Sequence, residues 1–208
     1  LKVNVFIRDE QVASFDCAPI ELTSVPGNFI DLVIDGHLHI FSEDGSVISV
    51  VIGEETLIKG NINAHANGAG NSLTITNNGK VDYAGVNSKD GGYVYIVNNG
   101  NINQITGRAE GNGSVTEIEN AQNGTTRDIW IVGKGKGSTI SAVNNGHIDI
   151  GVEMGNYETF EPENDGYQID FINHGAIGNE YFDFFLGNGK VNIEDDKLEH
   201  TYLGISVK

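Results

Sequence analysis

The chain has 208 residues, and 12 Lys and Arg against 29 Asp and Glu give a formal net charge of −17 at pH 7. Such an acidic surface repels phosphate backbones and anionic lipid headgroups, so nucleic acids are excluded as expected partners. The single cysteine, Cys17, cannot close an intramolecular disulfide, and no run of about eighteen apolar residues exists that would insert this segment into a membrane. Stability must therefore come from backbone pairing and a continuous core.

The first part of the chain differs from the rest. Residues 1–7 largely alternate apolar and polar side chains, which predicts a strand. Because an open stack of strands needs its end covered, residues 1–30 are predicted to form an N-terminal cap. Residues 31–208 are then a repeat domain that is truncated at its C-terminal end. No basic and apolar leader begins the chain, so it is interpreted as a processed or truncated piece, with any export signal outside it.

The remaining chain repeats one short pattern: an apolar run, two asparagines, a glycine, a variable residue and an apolar residue. The pattern is seen in Asn77-Asn78-Gly79-Lys80-Val81, Asn98-Asn99-Gly100-Asn101-Ile102 and Asn144-Asn145-Gly146-His147-Ile148. Eight glycines, each followed two residues later by a side chain that is apolar in all cases but one, set a repeat register: Gly36, Gly60, Gly79, Gly100, Gly124, Gly146, Gly175 and Gly189.

Most of the intervals between these glycines lie near 22 residues. A period of this length with short β-prone runs and no helical periodicity predicts an all-β solenoid, a right-handed parallel β-helix. A leucine-rich repeat is disfavoured because its leucine framework is missing. A β-sandwich remains the structural alternative, since it also has short strands and regular turns.

The paired asparagines have a structural explanation in this fold. Each coil must turn sharply at one corner, and a left-handed backbone there is one that glycine adopts freely and asparagine tolerates. Stacking brings equivalent residues within about 4.8 Å, so Asn77 and Asn98 are expected to start a ladder of amide hydrogen bonds. We therefore predict that these asparagines build corners and do not form a ligand site.

Residues 151–168 lengthen one interval to 29 residues and are predicted to leave the stack as a loop. Such loops often carry binding in repeat proteins. The candidate binding residues are the acidic side chains Glu158, Glu161, Glu163 and Asp165. A solvated acidic loop that binds nothing is the alternative interpretation. Weak calcium binding is less favoured, because the glycine-rich nonapeptide of calcium-binding β-rolls is absent.

No catalytic residue, metal ligand or cofactor is predicted. His37 and His147 share a position in the predicted register but lie about 24 Å apart, too far to share an ion. Asp82 and Asp149 are about 14 Å apart, beyond the roughly 5 to 9.5 Å of paired glycosidase carboxylates. Asp149 is instead expected to form a surface ion pair with Arg127 of the adjacent coil.

The three Asn-Asn-Gly repeats quoted above resemble those of bacterial autotransporter passenger domains, the β-helical adhesins of type V secretion. The resemblance covers about residues 30–193. It implies secretion across the outer membrane, display or release at the bacterial cell surface and a role in virulence.

On this basis the chain is expected to be a secreted or surface-displayed non-enzymatic binding protein: an adhesin, a self-association factor or a host-receptor ligand. Its expected partners are a host cell-surface protein or glycan, or another copy of itself. The alternative is a polysaccharide lyase or glycoside hydrolase on the same scaffold. A trimeric phage tail-spike fragment is a third interpretation.

Overall fold

The computed structural model describes residues 2–7, 10–16, 20–22, 33–34, 37–42, 45, 47–155, 166–178, 181–185 and 189–196. Within these ranges every regular element is a strand. In chain order the strands are β1 (Lys2–Ile7), β2 (Glu10–Asp16), β3 (Ile20–Leu22), β4 (Val33–Ile34), β5 (Leu38–Ser42), β6 (Val47–Ile52), β7 (Leu57–Asn67), β8 (Ser72–Asn77), β9 (Lys80–Lys89), β10 (Tyr93–Asn98), β11 (Asn101–Glu110), β12 (Val115–Asn120), β13 (Thr125–Lys134), β14 (Thr139–Asn144), β15 (His147–Gly155), β16 (Gln168–Asn173), β17 (Ala176–Ile177), β18 (Tyr181–Phe185) and β19 (Lys190–Asp195).

The strands form two sheets whose strand orders show a coil. Sheet A has the order β17-β15-β13-β11-β9-β7-β5-β1-β2, with β18 pairing β15 and β4 pairing β7. Sheet B has the order β19-β16-β14-β12-β10-β8-β6-β3. Each turn of chain adds one strand to each sheet, and neighbouring coils pair in parallel. The prediction of an all-β parallel β-helix is confirmed, and the β-sandwich alternative is wrong.

The core follows from alternation along each strand. In β10, half-buried and buried residues alternate from one end to the other, as the pleat requires when one face is packed and the other faces outwards. Parallel pairing then stacks like on like: Ile96 pairs with Ile75 on one side and with Ile118 on the other. Burying each such side chain contributes about 1.5–3 kcal/mol, so the core is a set of apolar columns along the coil axis.

The predicted asparagine ladder is present and runs through several coils. Asn77 Nδ2 donates to Asn98 Oδ1 at 2.9 Å, and Asn98 Nδ2 donates to Asn120 Oδ1 at 2.9 Å. The series continues through Asn144 and Asn173 at 2.8 and 2.7 Å. These five asparagines are fully buried. Asp195 ends the series by accepting from Asn173 at 3.1 Å.

The prediction of a left-handed backbone at the corner glycines is wrong. Gly79, Gly100 and Gly146 do not have positive φ, and among the described residues Asp90 is the one non-glycine residue that does. A Cβ on Gly100 would instead overlap the carbonyl oxygen of Gly79 in the preceding coil. Glycine is needed at this corner because stacked backbones approach closely. Left-handed backbone occurs at the opposite corner, for example at Gly113.

The glycine register is correct only in the middle of the chain. Strand pairing aligns Val81, Ile102, Thr126, Ile148 and Ile177 as predicted. However, Val81 pairs with Ile58 and Ile62 pairs with Ala84, so Gly60 lies outside the corner position. Val191 pairs with Ile169 in sheet B, which removes Gly189 from the series. Leu38, two residues after Gly36 in the sequence, pairs with Ile62 and therefore lies in the same displaced column as Ile62.

Antiparallel strands lie at the N-terminal end of the stack. Strand β1 pairs antiparallel with β2 and with β5, which places both beyond the first coil of sheet A. Strand β3 extends sheet B and pairs in parallel with β6. The division into a cap at residues 1–30 and a repeat domain at residues 31–208 stays a prediction.

Candidate functional site

The predicted binding residues Glu158, Glu161, Glu163 and Asp165 lie outside the described residues. The structure does describe both ends of their coil. Asn144 and Asn173, the flanking members of the ladder, are 29 residues apart, compared with 21 to 24 for the other asparagine steps. The extra chain therefore lies between β15 and β16. The predicted loop is too long at both ends, because residues 151–155 belong to β15 and Gln168 begins β16. A binding role for this segment stays a prediction.

The expected ion pair between Arg127 and Asp149 is not formed. His147 Nε2 lies 3.0 Å from Asp149 Oδ1 within the same strand, and Arg127 Nε lies 3.6 Å from Asp128 Oδ2. A bulge in the pairing of β13 with β15, between Thr126 and Asp128, changes the residues that face each other. Arg127 and Asp149 therefore each contact a neighbour on their own strand.

The positions of His37 and His147 in the coils also differ from the prediction. His147 pairs with Thr125, whereas His37 Nδ1 accepts a hydrogen bond from the Asn61 backbone at 3.2 Å, so the two histidines occupy different columns. His37 and His39 lie edge to face, with ring centroids 6.1 Å apart. In the described ranges, no group of three or more His, Cys, Asp and Glu side chains could hold a metal ion.

The outward surface of sheet A carries the feature that the sequence did not predict. We call the outward side chains of β9, β11, β13 and β15 the sheet A face. Pairing aligns Gln104 with Asp128, Thr106 with Trp130, and Trp130 with Glu153. Its members include Asn87, Gln104, Thr106, Arg108, Asp128, Trp130 and Glu153.

Asp128 is the most unusual residue of this face. It is only 4 % exposed, and its Oδ1 is buried without a hydrogen-bond partner. Burial raises the pKa of this carboxyl group, although Arg127 and a hydrogen bond from Gln104 act in the opposite direction. A buried carboxylate that lacks a full set of partners costs stability, so packing alone does not explain its presence here.

Two more polar atoms of the face share this condition. Thr106 Oγ1 and Asn87 Oδ1 are buried without hydrogen-bond partners. Each unsatisfied buried group costs about 1–3 kcal/mol. Native structures contain few such groups, and each calls for an explanation. Their occurrence in three neighbouring strands, β9, β11 and β13, marks one region of the surface.

Trp130, the one tryptophan of the chain, lies in the same region. It stands two residues after Asp128 on β13, and its strand partners are Thr106 on one side and Glu153 on the other. The side chain is half-buried on the outer surface. Tryptophan supplies a large rigid apolar surface with a single donor, which suits it for contact with ligands that are polar at their edges.

The outward surface of sheet B differs because its polar groups bind one another. Tyr93 donates to Glu117, and the Tyr95 hydroxyl donates to Glu119 at 2.5 Å. Burial, together with the bond to Glu119, raises the pKa of Tyr95 to about 12. The same two causes raise the pKa of Tyr93, with Glu117 as its partner. These satisfied pairs require no ligand.

Comparison of the chain with protein-family models, with curated proteins and with solved structures finds no match. In the part of the chain that is described, no helix is long and apolar enough to cross a membrane. The sheet A face is therefore identified as the candidate site from its geometry alone.

Asp128→Asn tests whether the carboxylate of Asp128 lowers the stability of the folded state. Because the folded-state pKa of Asp128 is raised above its ordinary value of 3.8, the folded state binds the proton more tightly than the unfolded state. Its contribution to stability is complete below pH 3.8 and is lost as the pH rises through the folded-state pKa. The variant is expected to have a Tm at pH 7 equal to or above that of the unchanged protein.

The measurement is thermal unfolding by circular dichroism from pH 4 to pH 8. The advantage of Asp128→Asn is expected to shrink as the pH falls. At each pH the Tm of Asp128→Asn is compared with that of the unchanged protein. If the variant loses stability in this comparison as the pH rises from 4 to 7, the ionised carboxylate supports the fold.

Proposed function

We propose that this chain is a secreted or surface-displayed protein that binds its ligand on the sheet A face without turning it over. The observation that carries the proposal is the group of buried, unpaired polar atoms on Asn87, Thr106 and Asp128 beside Trp130. The partner is a host cell-surface protein or glycan, or a second copy of the chain. The resemblance to autotransporter passengers supports the location and the role as an adhesin.

Rigidity of the scaffold favours binding. The residues of the face stand on strands that are paired on both sides and anchored by buried columns and the asparagine ladder. Side chains held in this way lose little freedom when a ligand arrives, so more of the contact energy appears as affinity. Groups that lower stability but remain in the sequence are typical of functional sites.

A glycoside hydrolase is the second candidate, and one observation favours it. Asp128 and Glu153 lie on adjacent strands two positions apart, which separates their Cα atoms by about 8 Å. Cα atoms at this separation allow the two carboxyl groups to lie within the roughly 5 to 9.5 Å of paired glycosidase carboxyls, and the raised pKa of Asp128 suits a general acid. The binding role is preferred because it also explains Thr106 and Asn87, which a carboxyl pair leaves unused.

The test measures binding and turnover on the same samples. Fluorescently labelled protein is applied to host cells and to immobilised glycans and cell-surface proteins, and released fragments are analysed by mass spectrometry. Trp130→Ala is expected to reduce binding at least tenfold, since truncating a central aromatic contact costs about 2 kcal/mol or more. Thr74→Ala, on the outward surface of sheet B, is the matched control and is expected to bind normally.

Two results would contradict the proposal. Equal binding by Trp130→Ala and the unchanged protein would remove the sheet A face as the site. Release of fragments that Asp128→Asn abolishes would replace the binding role with hydrolysis. Binding without fragments, lost in Trp130→Ala and kept in Thr74→Ala, supports it.

A further inference from the structure

We infer that the ligand of the sheet A face is a neutral, hydroxyl-rich glycan chain that lies diagonally across β9, β11 and β13. This inference rests on the proposed function and assigns a ligand class to the same site. It comes from the positions of the unpaired atoms relative to one another, from their hydrogen-bonding type and from the charges beside them.

The three unpaired atoms follow a diagonal line. Asn87 pairs with Arg108, and Thr106 stands two residues before Arg108 on the same strand. Thr106 pairs with Trp130, and Asp128 stands two residues before Trp130. Each step therefore moves one strand sideways and two residues back, which is about 8 Å, so the line is about 16 Å long. An extended ligand can contact all three positions, whereas a small compact one reaches one or two.

The chemistry of these atoms selects a ligand that donates hydrogen bonds. The amide oxygen of Asn87 and an ionised Asp128 oxygen only accept, and the Thr106 hydroxyl can accept or donate. Hydroxyl groups, amide N–H groups and cationic amines are donors that could meet them, and a sugar chain carries neutral hydroxyls along its whole length. Acidic polysaccharides are disfavoured because the chain carries a formal net charge of −17.

Positive charges at the two ends of the line act against a cationic ligand, whereas Glu153 beside Trp130 acts in its favour. Arg108 is the strand neighbour of Asn87, and Arg127 Nε lies 3.6 Å from Asp128 Oδ2. Glu110 partly balances Arg108 through an ion pair of 3.3 Å. Lysine-rich peptides would meet both guanidinium groups at close range. Neutral hydroxyls satisfy the acceptors without this repulsion.

Trp130 completes the match to a sugar chain. It adjoins the middle of the line, because Thr106 is its strand partner. The apolar side of a sugar ring can pack on the indole while its hydroxyls reach Thr106 and Asp128. The Arg127 side chain is 55 % exposed, so it is free to swing away from Asp128 when a ligand enters. Because the three atoms are buried in the free protein, neighbouring side chains must shift as the ligand enters. Entry then completes hydrogen bonds that the free protein lacks.

The experiment is calorimetric titration with neutral malto-, cello- and laminari-oligosaccharides of increasing length. Heparin fragments and oligolysine are the charged comparisons. Thr106→Val keeps the shape of the side chain and removes its hydroxyl. Thr74→Val makes the same change on the outward surface of sheet B and is the matched control. Affinity for a neutral series is expected to rise with length to a plateau, and Thr106→Val is expected to weaken it about tenfold.

The outcomes separate this inference from the proposed function. Binding of heparin or oligolysine alone, weakened by Trp130→Ala, would overturn the neutral glycan and keep the binding face. Cell binding that depends on Trp130, with none of the neutral sugars bound, would also overturn the neutral glycan and keep the binding face. Neutral sugars bound equally by Thr106→Val and the unchanged protein would overturn the diagonal placement. If no variant of the sheet A face loses cell binding, the proposed function itself is contradicted.

Discussion

Replacing Asn98 with alanine is expected to lower the free energy of unfolding by about 3 kcal/mol or more. Asn98 is fully buried and accepts from Asn77 at 2.9 Å. It donates to Asn120 Oδ1 and to the Thr125 carbonyl at 2.9 and 3.0 Å. Alanine leaves partners on both sides unsatisfied in the interior, and it also leaves a cavity.

The adjacent asparagine provides the matched control. Asn99 is exposed, and its Nδ2 donates to Asn78 Oδ1 at 3.0 Å on the surface. Water can replace that bond, so Asn99→Ala is expected to cost no more than about 0.5 kcal/mol. Urea unfolding followed by circular dichroism compares the two variants. Similar losses for both would show that the buried ladder does not hold the coils together.

Gly100→Ala is the second change with a large expected effect, about 3 kcal/mol or more. A Cβ at this position would overlap the Gly79 carbonyl oxygen and backbone atoms of Asn78 in the preceding coil. Neither is the flexible end of a side chain, so the coils themselves must separate. The backbone pairing beside this corner would weaken as a result.

Gly113→Ala distinguishes crowding from backbone conformation. Gly113 has a φ of +75°, and the nearest atom to an added Cβ would be 3.9 Å away. Its cost is therefore conformational and about 1–2 kcal/mol. Thermal unfolding of both variants is expected to rank Gly100→Ala as the more damaging. The opposite order would restore the left-handed turn as the reason for glycine in the Asn-Asn-Gly corner.

The repeat pattern predicts the fold because one physical requirement recurs in every coil. Asn77 and Asn98 stand at equivalent places, and stacking forces them into contact, so the ladder follows from sequence alone. Asn120 belongs to the same ladder but is not recognisable as a member, since Ala121 follows it where the other corners have asparagine or histidine. Pairing of strands, which one sequence does not display, identifies it.

The errors of register have a local cause. Thr56 occupies the corner place that Gly79 holds in the next coil, as their strand neighbours Leu57 and Lys80 show. Gly60-Asn61-Ile62 imitates the glycine pattern a few residues later. Glycine at the true corner is required only where the neighbouring backbone crowds it, so its absence from one coil misleads a count based on glycine.

The candidate site could not be predicted because it does not repeat. Outward positions vary from coil to coil, and Asp128 and Trp130 occur once in their columns. The sequence directed attention to Arg127 and Asp149, which stand beside the corner. A bulge between Thr126 and Asp128 changes the facing residues there, and hydrophobic alternation does not reveal it. The one signal was the single tryptophan two residues after an acidic residue.

A crystal structure of the protein with a bound neutral oligosaccharide, of the series that binds best in solution, tests the central claim most directly. The account predicts sugar density packed on Trp130, with hydroxyls within hydrogen-bond distance of Asp128 Oδ1 and Thr106 Oγ1 and an unbroken chain. A ligand on the outward surface of sheet B, or a cleaved sugar between Asp128 and Glu153, would contradict it.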